Sequence, residues 1–193
     1  LALLWGQRNV AWAEVVEHFQ SADYVKVSTF IKNSPYEAPV QIQIWTGKEG
    51  DIRMMTGSQV ILAKHGRITK VYDLAAQSET DPAPIAVDVL AEIGSAERFS
   101  LDTIIQSISQ GVLEDITPSL LVDAHIAQDL VVFEGRSSLK QGMVRIYALR
   151  QSKLPVSFRI WDPVDGSSIE ALFTYPKSLA DAFFDPYSLT EKL

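Results

Sequence analysis

The residues best suited to chemistry in this sequence are its three histidines, and they are scattered. His18 falls in a helix-patterned stretch, His65 in a hairpin turn and His125 in a strand-patterned stretch. Glu14 and His18 stand at i and i+4 on one helix face, and Asp123 and His125 share one strand face. Each pair therefore offers two ligands where a protein zinc site needs three or four. Solvated surface side chains account for both pairs. A serine hydrolase requires a nucleophile on a strained turn together with a histidine and an acid, but no G-x-S-x-G occurs, and Gly166-Ser167-Ser168 is explained by its turn. Neither G-x-x-x-x-G-K-[ST] nor G-x-G-x-x-G is present to cradle a phosphate. Glu114 and Asp115 are adjacent in what reads as a loop and point apart, so they do not converge for acid–base work. With no cysteine there is no thiol nucleophile, thiolate metal site or disulfide. The reading is no enzyme, no metal and no cofactor.

The elements that position these residues belong to a chain of 193 residues with 24 acidic and 17 basic side chains, a net charge of −7. That balance repels phosphate backbones and argues against nucleic acid as a partner. Hydrophobic residues at 47% and charged residues at 21% are those of a globular protein, and a chain of this size buries about 70% of its surface on folding. One domain, residues 9–193, is expected. The opening Leu1-Ala2-Leu3-Leu4-Trp5 is far short of a bilayer span of roughly 20 residues. Residues 1–8 are read as the stub of a membrane anchor or signal segment, with a frayed terminus as the equal alternative.

Trp12, Val15, Val16 and Phe19 recur at helical spacing between Asn9 and Ala22, with Asn9 as a plausible N-cap. The period then switches to two. Val25 to Ile31 and Val40 to Trp45 read as an antiparallel pair, followed by strands over 51–56, 60–64 and 67–74, the last two joined by a tight turn at His65-Gly66 that needs positive φ. Pro84 to Gly94 carries the stripe Ala86, Val89, Leu90 and Ile93. Leu101, Ile104, Ile105 and Ile108 form a second stripe between Ser100 and Gly111, so two short helices are expected to interrupt the sheet. Strand pattern returns over 124–134, 143–150, 155–161 and 168–175. The expected fold is α+β: about eight or nine antiparallel strands in one sheet with helices on one side.

The order of elements, the helix beginning Val10-Ala11-Trp12-Ala13-Glu14, the hairpin from Gly57 to Tyr72-Asp73, and the closing Phe173-x-Tyr175-Pro176 with Asp181-Ala182-Phe183-Phe184-Asp185-Pro186 resemble the outer-membrane lipoprotein carrier superfamily. This superfamily covers LolA-like and LolB-like proteins and RseB-type periplasmic sensor domains. The resemblance runs from about Asn9 to Leu189. It implies a large curved antiparallel sheet, a half-open barrel, whose N-terminal helix and two mid-chain helices cover an apolar concave face that receives acyl chains. At about 0.8 kcal/mol per buried methylene, an acyl chain of roughly 16 carbons represents about 12 kcal/mol of gross transfer, so only a sizeable apolar cleft holds one in water.

Mapped onto this sequence, the resemblance places Val40, Ile42 and Ile44, then Val156, Phe158 and Ile160, then Ala171 and Phe173 on the concave face, with Leu90, Ile104 and Ile108 from the lid. For each residue alone, ordinary core packing is the better reading. The resemblance also implies a periplasmic or other extracytoplasmic protein with a lipid or lipoprotein as partner; the apolar Leu1 to Trp5, where the carriers have a lipidation cysteine or a complete signal, departs from them and favours a relative membrane-anchored through a segment upstream. The alternative is a protein-interaction or regulatory domain of the sigma-factor-regulator kind, its core filled by its own side chains and with no lipid ligand. A hydrolase using one of the histidines stands third.

Overall fold

The computed structural model describes residues 10–47, 49–94, 101, 104–105, 109–117, 129–138 and 142–189. Helix α1 (Trp12–Gln20) leads into strands β1 (Val25–Lys32), β2 (Val40–Thr46), β3 (Asp51–Thr56), β4 (Gln59–Lys64), β5 (Arg67–Asp73) and the two-residue β6 (Ser78–Glu79). Helix α2 (Pro84–Gly94) precedes β7 (Ser109–Asp115), β8 (Leu130–Ser137), β9 (Met143–Leu149), β10 (Pro155–Trp161) and β11 (Ser168–Thr174). Two 3-10 turns, Asp181–Phe184 and Pro186–Leu189, close the described chain.

All eleven strands form one sheet in the order β6-β5-β4-β3-β2-β1-β11-β10-β9-β8-β7. Every pairing is antiparallel. The sheet does not close, because β6 and β7 lie at opposite edges. The two meanders, β1–β6 and β7–β11, meet where β1 pairs with β11. The α+β half-barrel expected from the sequence is thus the architecture found.

Its details differ from the expectation in four places. There are eleven strands where eight or nine were expected. The stretch read as helix from Ser100 to Gly111 is helical at Leu101, Ile104 and Ile105, but strand β7 has begun by Ser109, whose hydroxyl donates to the Ile105 carbonyl at 2.7 Å. Glu114 and Asp115 lie in that strand and not in a loop. The pattern of β7 concealed it: Ser-Gln-Gly-Val-Leu-Glu-Asp has no run of alternating apolar residues, and its register against β8 shifts between Gln110 and Glu114. Finally, the strand expected over 124–134 is seen from Leu130 and runs on to Ser137, residues 124–128 lying outside the described residues. For α1 the helix starts after Ala11; Asn9, expected as its cap, is likewise outside them.

The turns follow their residue types. His65 and Gly66 have φ of 48° and 74°, the left-handed pair that a two-residue hairpin needs, and Lys64 pairs directly with Arg67. At the other end of the sheet the β10–β11 turn meets the β1–β2 turn. A side chain on Gly166 would come within 3.0 Å of the Pro35 ring, so the two hairpin tips pack because one of them carries glycine.

Candidate functional site

Cross-strand pairing converts the separate apolar stripes of the sequence into rows that cross the sheet. One row runs Ile42, Thr29, Ala171, Phe158, Ile146, Phe133 from β2 to β8. A second runs Val71, Ile61, Met54, Ile44, Val27, Phe173 from β5 to β11. A third, nearer the hairpin tips, holds Val40, Ile31, Ile169, Ile160 and Val144. These rows share one side of the sheet, which belongs to a single hydrophobic core with Val15 and Phe19 of α1, Ala86 and Leu90 of α2, and Leu101 and Ile105. The helices therefore lie across the inner face, as amphipathic helices must when a sheet is the available apolar surface.

Aromatic contacts fix where α1 sits. Phe19 packs edge-on against Phe173 at 5.8 Å and Tyr175 at 6.3 Å, Phe173 lies 5.8 Å from Phe158, and Trp12 meets Phe133 edge-on at 5.3 Å. Such pairs contribute about 0.5–1.5 kcal/mol each beyond their buried area. The Tyr175 hydroxyl donates to the Pro155 carbonyl at 2.6 Å, and burial pushes its pKa far up, so it remains a neutral donor. A polar clamp adds to this: Glu14 of α1 accepts from Lys153 Nζ in the β9–β10 turn at 2.6 Å and from the Ala11 N–H at 3.1 Å. Those hydrogen bonds, Lys153 first, hold the Glu14 carboxyl below the usual carboxylate range.

Of the residues expected on the concave face, Ile42, Ile44, Phe158, Ile160, Ala171 and Phe173 are buried there, together with Leu90 of α2. Ile104 is half-buried against the same core. Val40 is on the right face but at the end of its strand, and is 42% exposed. Val156 is half-buried and sits at a bulge, because the β10 register passes from Pro155↔Ala148 to Ser157↔Tyr147 and leaves it no partner on β9. Ile108 lies outside the described residues. At the third row an apolar opening of about 60 Å³ is bordered by Ile31, Ile160 and Ile169.

The residues considered for chemistry do not assemble. His18 Nδ1 lies 2.8 Å from the Glu14 carbonyl oxygen, on its own helix. His65 occupies the exposed β4–β5 turn, while Asp123 and His125 lie outside the described residues. Among the described residues no three histidine or acidic side chains come close enough to hold a metal ion.

The outer face holds what sequence reading missed. All four residues Val60-Ile61-Leu62-Ala63 of β4 are buried, so this strand is covered on both sides. The first 3-10 turn supplies an outer cover: Phe183 packs against Trp45 at 5.6 Å and under the Arg53 guanidinium at 4.6 Å, and its carbonyl accepts from Arg53 Nη1 at 2.9 Å. Trp45, Arg53 and Leu62 form one outward row. An uninterrupted apolar run in a strand is the signal of two-sided burial, and Val60 to Ala63 carries it.

This architecture has counterparts among solved structures. An uncharacterized conserved protein from Thermus thermophilus matches with a TM-score of 0.50 at 11% identity, covering 88% of this chain and 90% of its own. LprF from Mycobacterium bovis matches with 0.50 at 9% identity, covering 87% and 92%. The chain shares its fold with these two proteins. A domain from Vibrio parahaemolyticus named a putative outer membrane lipoprotein-sorting protein domain aligns over 92% of this chain and 96% of its own at 11% identity, with a TM-score of 0.37. No protein-family model and no curated protein matches the chain. Among the described residues no helix is long and apolar enough to cross a membrane.

Proposed function

We propose that this chain is a non-enzymatic, extracytoplasmic binding or sensor domain that holds a lipid, an acyl chain or the lipid part of a lipoprotein against its inner face, and that it is tethered to a membrane in the full protein. The observation that carries this reading is the inner face itself. Three apolar rows cross the seam between the meanders, and the elements laid over them are short helices, not a second sheet. Such a cover leaves by small rigid-body movement, which a sheet-on-sheet core does not allow. The opening beside Ile31, Ile160 and Ile169 has space for about two waters, whereas ligand pockets start at about 300 Å³. An acyl chain does not fit that opening, and in this reading the helices lift to load it, with Phe158, Phe173 and Leu90 forming the floor and lid of the space so created.

A second reading is supported by the burial of those same side chains: an interior that stays filled and a domain that regulates a protein partner with no lipid. Native mass spectrometry of the purified chain separates them. The first reading expects a co-purified lipid adduct that disappears in Phe158→Asp, provided circular dichroism shows that variant folded, and that diminishes in the lid variant Leu90→Asp. A wild-type chain that carries no adduct and takes up no fluorescent fatty acid would refute the first reading and leave the second.

A further inference from the structure

The face opposite the core carries a feature that lipid binding does not use. Arg145 on β9 and Arg159 on β10 are directly paired across neighbouring strands, an arrangement in which like charges repel. Both guanidiniums lie over one indole, Trp161, at 5.4 and 5.9 Å from its ring centre. With Tyr147 these three side chains line a hollow of about 120 Å³. Arg145 is neutralised on one side by Glu134, which accepts from its Nε at 2.8 Å and also from Nη2. Arg159 is different. Among the described residues it makes no ion pair within 4 Å, and its cross-strand carboxylate, Glu170, lines the adjoining hollow with Phe30, Lys32, Pro39 and Ser168. Glu114, the remaining acid in that row, is paired with Glu134 on the far side of Arg145. Arg159 thus lines the hollow with no carboxylate within 4 Å among the described residues, in a cross-strand row that carries three acids, Glu114, Glu134 and Glu170, and two arginines.

We propose that this hollow is a recognition site for a single carboxylate presented by a protein partner, an aspartate or glutamate side chain of an acidic segment laid across β9 and β10. One carboxylate matches the one guanidinium of the hollow that makes no ion pair, and two planar guanidiniums provide the forked donors that fit its two oxygens. The volume sets the partner class: about 120 Å³ is below the roughly 300 Å³ that encloses a small molecule, so the site takes a group while the rest of the ligand lies along the outer face. Arg159 gains its counter-ion, and the Arg145–Arg159 repulsion is relieved at the same time. The site is independent of the inner face, so a chain that carries no lipid retains it.

The test is a titration with an acetylated, amidated hexaglutamate peptide, followed by calorimetry and by the NMR signals of the arginine Nε–H and tryptophan indole N–H groups. Binding is expected to shift Arg145, Arg159 and Trp161, to weaken with added salt, and to weaken about tenfold in Arg159→Gln while Arg67→Gln on β5 matches wild type. Arg159 is exposed, and an unchanged melting temperature verifies that its variant is folded. Equal affinity in Arg159→Gln, an equal loss in Arg67→Gln, or shifts confined to other parts of the chain would overturn the assignment. Acetate binding as tightly as the peptide would overturn the protein-partner part of it.

Discussion

At the scale of single residues, Glu14 is the side chain whose ionisation matters most for the position of α1. Its carboxyl is held below the usual range by Lys153 and by the Ala11 N–H, so the folded chain binds a proton there less readily than the unfolded chain does. The contribution of this clamp is complete above the ordinary glutamate value of 4.5 and is lost as pH falls through the lower, folded value. Hydrogen exchange in α1, measured relative to β10, should accelerate below that pH in the wild type. In Glu14→Gln the same ratio should already be raised at neutral pH and change little on acidification. The pair is a surface one, so its loss loosens the helix without unfolding the sheet. Sequence spacing had put Glu14 beside His18 as a ligand pair; it could not show Lys153, far along the chain, arriving from the β9–β10 turn.

Individual elements divide into those legible in the sequence and those that were not. Strands such as β9 and β10 announce themselves because one side meets the core and the other meets water, which writes a period of two into Met143–Leu149 and Pro155–Trp161. The positive φ of the His65-Gly66 turn was equally readable. β7 was not, since its residues Ser-Gln-Gly-Val-Leu-Glu-Asp carry no apolar alternation and its register against β8 shifts between Gln110 and Glu114. Nor did α-helical spacing around Leu101 to Ile108 reveal that strand has begun by Ser109, because the contact that seats Ser109, its hydroxyl on the Ile105 carbonyl four residues earlier, leaves no mark in residue pattern. Of the proposed site, the strand contributions were legible from alternation, while Val156 departed from it at a bulge that sequence does not mark. At this scale Phe19 is the anchor of α1, and Phe19→Ala should cost about 3–5 kcal/mol in chemical denaturation. The loss should come mainly as a release of α1, read as a drop in exchange protection there before β1 or β11 opens.

For the whole molecule, the outer cover is as much a part of the architecture as the inner helices. Phe183 ties the end of the described chain to β2 and β3, under a guanidinium whose Nε is buried without a partner among the described residues and whose pKa burial lowers. Phe183→Ala removes two aromatic pairs, with Trp45 and Phe184, and one cation–π contact and should cost about 1–3 kcal/mol in thermal or denaturant unfolding, with Trp45 fluorescence shifting to the red as water reaches it. The two proposed sites lie on opposite sides of this sheet, one on the inner apolar face and one at the outer Arg145–Arg159 hollow.

The seam between β1 and β11 has a kinetic consequence. Each meander can zip from its own short hairpins, but the strand pair that unites them joins Val27 to Phe173, nearly opposite ends of the described chain. Closing that contact incurs the greatest loop entropy of any strand pairing in the sheet, and proteins dominated by such distant contacts fold slowly. Until it closes, the edges of β1 and β11 are bare backbone ladders able to pair with another chain. Once closed, they are the middle of the sheet, and the two outer edges are left to strands that offer little to pair with: β6 is two residues long, and β7 is interrupted in register.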